Sequence, residues 1–259
     1  MVDVRDEKVF MEKEDGIATI YINRLEKRNA LSYDMWEKMI EFVDLCSEVD
    51  EVNVIIFRST TDQAFSAGAD ISEFKTIRST VDGVIKYGEV TSGLERKIAE
   101  CPKPTIAMIQ GFCVGGGCEI AVACDFRFSD ETGKFGITPA KLGIVYDTAA
   151  TKHLVDLVGP ANAKDILFTG RIFPAEEALQ MGLINRIVPA EELERVTYEY
   201  ARMIGENAQI SVRASKQIVR HVLQGATEDN EEIKQLIMES VQSEEYRDRV
   251  RAFLNKGKA

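Results

Sequence analysis

The sequence has no apolar run long enough to cross a bilayer as a helix, so a membrane-spanning protein is not expected. Its opening, Met1-Val2-Asp3-Val4-Arg5-Asp6-Glu7, lacks the apolar core of a secretory leader. Positive charge is scarce: 32 Lys and Arg stand against 43 Asp and Glu, a net charge of −11. That sign argues against nucleic acid and anionic lipid as partners. The five cysteines, Cys46, Cys101, Cys113, Cys118 and Cys124, show neither zinc-ligand spacing nor a secreted disulfide framework. Reduced, buried thiols in a cytoplasmic protein are the expected state. Histidine is limited to His153 and His221, both in helical patterns and neither in a nucleophile motif. A serine–histidine hydrolase and a multi-histidine metal site therefore have little support, and no metal is expected.

What is present is an ordinary globular composition, 45% hydrophobic and 29% charged over 259 residues, enough to bury a core without staples. Val9-Phe10-Met11 and Ile17 to Ile22 flank a charged turn ending in Asp15-Gly16 and predict a hairpin. Ser32 suits the cap of a helix in which Met35, Trp36, Met39, Ile40 and Val43 recur at helical spacing. Buried-type strands are predicted over 52–57 and 105–109, with a helix over 81–99 between them that stops before Pro102 and Pro104. Strands alternating with helices predict an α/β architecture with mostly parallel pairing. From residue 148 onward helical patterns follow one another, three of them opening on proline. The expected organisation is an α/β core over 1–195 and a helical region over 196–259, with no low-complexity linker and no clear repeat.

Two segments are richer in glycine than their surroundings: Phe65-Ser66-Ala67-Gly68-Ala69-Asp70 and Gly111-Phe112-Cys113-Val114-Gly115-Gly116-Gly117-Cys118-Glu119. Each follows a predicted strand. Glycines at a strand-to-helix turn free backbone N–H groups and let a ligand approach closely, and they also serve plain tight packing. No Lys-Ser/Thr follows them, so a nucleotide P-loop is not supported.

Together with Asn23-Arg24-Leu25-Glu26-Lys27-Arg28-Asn29-Ala30-Leu31, these segments resemble the enoyl-CoA hydratase/isomerase family, also called crotonases. Cys124-Asp125, Phe135-Gly136, Leu142-Gly143, Leu167-Phe168-Thr169-Gly170 and Gly182-Leu183-Ile184 extend the resemblance in order along nearly the whole chain. It implies a spiral of ββα units with a helical C-terminal trimerisation region, assembled as a homotrimer or a hexamer made of two trimers. It implies an acyl-CoA substrate, with coenzyme A part of that substrate and no separate cofactor. It places an oxyanion hole on the N–H groups of Ala69 and Gly116, donors worth about 3–4 kcal/mol each in such sites. Contacts to coenzyme A would fall to Lys27, Arg28, Ala67, Asp70 and Lys256; of these, Lys27, Arg28 and Lys256 are the local basic groups that a polyanion needs on an acidic protein.

The carboxylates decide the reaction. The resemblance makes Glu119 the first of the two glutamates that hold a water in family hydratases; a dipole-stabilised helix carboxylate is the alternative. The second glutamate is replaced by Pro139, which neither takes nor gives a proton. Eight residues on, Asp147 in Tyr146-Asp147-Thr148-Ala149-Ala150 resembles the aspartate of dienoyl-CoA isomerases, and also the nucleophile of 4-chlorobenzoyl-CoA dehalogenases; it equally suits a helix cap. Retention of Glu119 favours proton transfer over nucleophilic displacement. The leading expectation is an enoyl-CoA hydratase-like lyase. The alternatives are a double-bond isomerase acting through Glu119 and Asp147, and a non-catalytic acyl-CoA binder.

Overall fold

The computed structural model describes residues 7–256. The hairpin forms as β1 (Val9–Glu14) and β2 (Ile17–Ile22), antiparallel in register, with Asp15 and Gly16 both at positive φ in a two-residue turn. After α1 (Tyr33–Glu48) the chain repeats a strand–strand–helix unit. The first is β3 (Val54–Ser59), β4 (Ala64–Ser66) and α2 (Val81–Glu100). The second is β5 (Thr105–Ile109), β6 (Phe112–Val114) and α3 (Gly116–Ala123). The third is β7 (Phe126–Asp130), β8 (Lys134–Gly136) and α4 (Thr148–Thr169). β9 (Phe173–Pro174), α5 (Ala175–Gln180) and β10 (Arg186–Val188) follow, and the helices α6 (Leu193–Gly205), α7 (Gln209–Leu223), α8 (Glu231–Gln242) and α9 (Glu244–Lys256) complete the chain.

The first strand of each unit joins one six-stranded sheet, in the order β1-β2-β3-β5-β7-β10, parallel beyond the hairpin. The second strands make a separate four-stranded sheet, β4-β6-β8-β9. Each unit therefore advances both sheets by one strand, and this is the spiral that the resemblance implies. Within α4 Gly159 is non-helical, with φ of 73°, and separates two helical stretches just before Pro160.

The central strands are buried on both faces, as a parallel sheet requires. In β3, Ile55 and Phe57 face a cluster with Met35, Trp36, Met39 and Val43 of α1, Leu94 and Ile98 of α2 and Ile120 of α3. Val54 and Ile56 face the opposite side with Ile106, Met108 and Phe128, covered by Leu193 and Ala201 of α6. The boundary expected at 195/196 thus falls inside a helix that packs on the main sheet. Helices α7 to α9 carry exposed apolar residues, among them Val222, Met238, Val241, Phe253 and Leu254.

The segment from Asn23 to Leu31 holds the two sheets together. Asn29, fully buried, donates to Ser59 Oγ (2.7 Å) at the end of β3 and to the carbonyls of Ala64 (2.8 Å) and Phe65 in β4. Ser66 Oγ returns a bond to the Asn29 carbonyl at 2.8 Å. Replacing Asn29 with Ala strands these buried acceptors, each at a cost of about 1 kcal/mol or more. N29A is expected to lose about 2–3 kcal/mol in urea unfolding; a loss below about 0.5 kcal/mol contradicts this role.

Candidate active site

The two glycine-rich segments leave neighbouring strands of the small sheet. β4 pairs with β6 in parallel, Ser66 opposite Cys113, so Ala67-Gly68-Ala69 and Gly115-Gly116 emerge side by side. Leu31 forms a parallel bridge with Ala69: its N–H donates to the Gly68 carbonyl at 2.7 Å, and its carbonyl accepts from Asp70 N–H at 2.8 Å. In a parallel bridge the central residue's own N–H faces away from its partner. The Ala69 N–H is thereby left for the other side. Gly115 N–H donates to the Gly136 carbonyl at 2.8 Å, and α3 starts at Gly116, whose N–H has no intrahelical acceptor.

The backbones approach as closely as glycine allows. A β-carbon at Gly68, where φ is +98°, would stand 3.0 Å from the Val114 carbonyl oxygen and 3.5 Å from the Gly116 nitrogen. One at Gly116 would stand 2.8 Å from the Trp36 ring and 3.7 Å from the Ala69 nitrogen. Two N–H groups without partners among the described residues thus lie in adjacent segments at the wall of one cavity.

That cavity has a volume of about 270 Å³. Ala67, Gly68, Ala69, Gly115 and Gly116 line one part; Phe74, Val84, Leu142, Ile144 and Val145 give it an apolar part. Helix α2 presents Val84, Tyr87, Gly88, Thr91, Ser92 and Glu95 to it, a single helical face. Thr80 caps this helix by accepting from Gly83 N–H at 3.1 Å.

Glu119 projects from the first turn of α3 into the cavity. Burial raises its carboxyl to about 7; a hydrogen bond from Glu95 works the other way, while Cys118 and Asp147 add to the rise. Glu95 is a second buried carboxyl on the same cavity, 4% exposed and an electrostatic neighbour of Glu119. Burial, then the Glu119 charge, push it to about 10. Glu95 has no counterpart in the expectations from sequence. Its signal there is a charge inside the apolar stripe of α2, between buried Tyr87, Leu94 and Ile98.

Pro139, at the start of a 3₁₀ turn, lines the cavity at the position that the resemblance gives to a second glutamate. Asp147 also lines it and is the N-cap of α4, accepting from Ala150 N–H at 2.8 Å and from Ser92 Oγ. Burial alone would raise its pKa, but the bonds from Ser92 and the helix N–H groups outweigh it and hold Asp147 below the usual range. Trp36 Nε1 and Tyr87 Oη are buried without a hydrogen-bond partner. The indole tempers the rise of Tyr87 to about 12 caused by burial, yet the two do not reach hydrogen-bond alignment. Arg78 stacks on Phe74 (4.3 Å) and Tyr87 (5.4 Å) at the same wall.

The basic residues are placed differently. Lys27 and Arg28 are exposed beside a 3₁₀ turn, and the Arg28 carbonyl accepts from Ala67 N–H at 3.0 Å, tying this turn to the cavity wall. Asp70 turns inward: it accepts from Ser72 N–H (3.0 Å) and Ser72 Oγ (2.5 Å), and Arg24 Nη1 stands 2.7 Å away as an ion pair. Its side chain is occupied by the scaffold and does not line the cavity. Lys256 ends α9, and its side chain lies outside the described residues. His153 and His221 do not line the cavity. No group of three or more metal-ligating side chains occurs among the described residues.

A family model described as enoyl-CoA hydratase/isomerase matches residues 12–259. The chain is 37% identical over 216 residues to a short-chain-enoyl-CoA hydratase of Clostridium acetobutylicum, covering 83% of this chain and 82% of that one. It is 36% identical to a crotonyl-CoA hydratase of Syntrophomonas wolfei, covering 81% and 80%. The crystal structure of an enoyl-CoA hydratase/isomerase family protein from Hyphomonas neptunium superposes with a TM-score of 0.94 at 39% identity, covering 98% of this chain and 97% of that one.

Asp70 gives the scaffold a measurable signature. The Ser72 hydroxyl, assisted by Ser72 N–H and Arg24, lowers its carboxyl to about 2. A carboxylate depressed on folding stabilises above its unfolded pKa, about 3.9, and that stability fades as pH falls through the folded value. Wild type should exceed D70N by about 2 kcal/mol at pH 7, the gap closing between about pH 5 and pH 2. A gap independent of pH in urea unfolding contradicts the ionic role.

Proposed function

The chain belongs to the enoyl-CoA hydratase/isomerase family, and from that premise we propose that it is an enoyl-CoA hydratase-like enzyme acting on an acyl-CoA thioester through an enolate. The observation that carries this reading is the pair of unpartnered N–H groups at Ala69 and Gly116, set against a carboxyl, Glu119, raised to about 7. Fixed donors at a thioester oxygen stabilise the charge that develops when a nucleophile adds at the β-carbon or a proton leaves the α- or γ-carbon. A carboxyl that titrates near neutrality is suited to move that proton in either direction. Coenzyme A is part of the substrate, and no separate cofactor is invoked.

In this reading Lys27 and Arg28 meet the phosphates, supported by their exposure on the turn joined to Ala67, and Lys256 completes the basic set. Ala67 supplies wall beside the oxyanion hole. The exposed apolar residues of α7 to α9 support assembly as a homotrimer or hexamer. No described helix is long and apolar enough to cross a membrane.

Hydration is favoured over isomerisation because the hydratases of Clostridium acetobutylicum and Syntrophomonas wolfei align over about four-fifths of the chain. The second reading, a double-bond isomerase, draws support from Pro139 and from Asp147 on the cavity wall. In that reading Asp147 is a proton-moving group, although its bonds to Ser92 and the α4 N-terminus favour the ionised cap.

Incubation with crotonyl-CoA separates the readings. Loss of the enoyl absorbance, abolished roughly 100-fold or more by E119Q, supports hydration through Glu119. Absence of hydration, with solvent deuterium entering a 3-enoyl or dienoyl thioester, transfers the assignment to isomerisation. D147A is expected to cost about 1 kcal/mol of stability through the lost cap, with kcat changed by less than about tenfold. A loss of several hundredfold in kcat makes Asp147 catalytic.

A further inference from the structure

We infer that Glu95 is a second catalytic carboxyl of this site and shares one proton with Glu119, taking over the acid–base work that Pro139 cannot do. The inference rests on the acyl-CoA reading above and extends it to a residue outside the motifs that carry the resemblance.

The geometry comes first. Glu95 and Glu119 belong to different helices, α2 and α3, which pack together, and both side chains open on the cavity that holds the Ala69 and Gly116 N–H groups. Their carboxyls are near enough for each to shift the other's titration. Two neighbouring carboxylates out of water repel, so the pair keeps a proton that can bridge them. No Lys or Arg forms an ion pair with either among the described residues. The groups facing them are Cys118 beside Glu119, Asp147 at the start of α4, Ser92 one turn earlier on α2, and Tyr87 with the stacked Arg78 on the wall. Asp147 carries its charge bonded to Ser92 and the helix N–H groups, and it further disfavours a second negative charge.

Such a pair titrates in two steps that belong to both residues together. With the steps near 7 and 10, it holds one proton just above neutrality, placed on Glu95 and donated to the Glu119 carboxylate.

One proton is the number the chemistry needs. In hydration, the water oxygen bonds to the β-carbon as the carbon–carbon π bond breaks, and its electron pair moves into the thioester enolate held by Ala69 and Gly116. The water proton passes to the Glu119 carboxylate. The enolate then collapses and its α-carbon takes the proton of Glu95. Transfer of a proton from Glu119 to Glu95 along their hydrogen bond restores the starting pair, with no net gain or loss.

The test has two arms on the full chain. Titration of [¹³C]carboxyl-labelled glutamates should show one group changing near pH 7 and another only near pH 10, the latter signal missing in E95Q. With crotonyl-CoA, E95Q should lower kcat roughly 100-fold with KM within about threefold, and lose the alkaline limb of the kcat profile, because an amide does not titrate. E95D should recover part of the rate. Two glutamates titrating together between about pH 4 and pH 5 overturn the shared proton. Titration as expected, but with E95Q keeping wild-type kcat and both limbs, overturns the catalytic role. If wild type leaves crotonyl-CoA unhydrated, the hydratase reading fails separately, and deuterium exchange at the α-carbon of butanoyl-CoA decides Glu95: slowed by E95Q it supports the role, unaffected it overturns it.

Discussion

Parallel hydrogen bonding between β4 and β6 brings the segments that leave them into van der Waals contact, and the rest of the site is arranged around that contact. The strands are three residues each, too short to be stable as an isolated pair. They are held from outside. Asn29 bonds two carbonyls of β4, Leu31 bridges Ala69, and Gly136 of the third unit fixes Gly115. Gly117 lies where a β-carbon would come within 2.5 Å of that of Ser66. The donors are therefore fixed before any ligand arrives, the condition under which an oxyanion hole is effective.

The same enclosure sets the acid–base chemistry. Carboxyls from three elements, Glu95 on α2, Glu119 on α3 and Asp147 at the start of α4, meet one cavity, and their surroundings differ. Asp147 has a helix N-terminus and a hydroxyl to stabilise its charge, so it ionises readily. Glu95 has only Glu119 and apolar packing, so it holds its proton. Glu119 lies between these extremes, with an open side on the cavity. Three carboxyls of similar intrinsic acidity thus become three different reagents through burial and hydrogen bonding. The buried pair costs folding energy, and the extensive packing beneath α1 to α3 is what tolerates it.

Long periodic elements were legible in the sequence because one face of each meets a continuous core. β2, α2 and β5 appear within a residue or two of their expected limits, while β1 and α1 start where expected and run on to Glu14 and Glu48. The second sheet was not legible, since strands of three residues carry no usable period and are held by contacts remote in sequence. The glycine segments were assigned to follow β3 and β5, whereas they leave β4 and β6. Ala69, Gly116 and Glu119 could be located because glycine spacing records a close backbone approach. Glu95 could not, because its importance lies in meeting a residue 24 positions later on another helix. Asp70 belongs to the same motif as Ala69, yet it faces Arg24 and Ser72; a run of letters does not record which neighbour turns inward.

On the proposed reading, the absence of an acid at Pro139 does not leave Glu119 working alone. A lone buried carboxyl that accepts a proton from water must lose it before the next turnover, and an enclosed site offers few routes to bulk solvent. A bonded partner removes that difficulty by passing the proton along an existing hydrogen bond. The position of the partner in sequence is then immaterial; what matters is that α2 and α3 pack with both side chains on the same cavity. On the proposed reading, a site organised in this way keeps its oxyanion hole and its one-proton inventory whether water adds at the β-carbon or a proton shifts along the acyl chain. In that reading the choice between those outcomes falls to what the cavity admits beside Glu119, along the apolar wall of Phe74, Val84, Leu142 and Ile144.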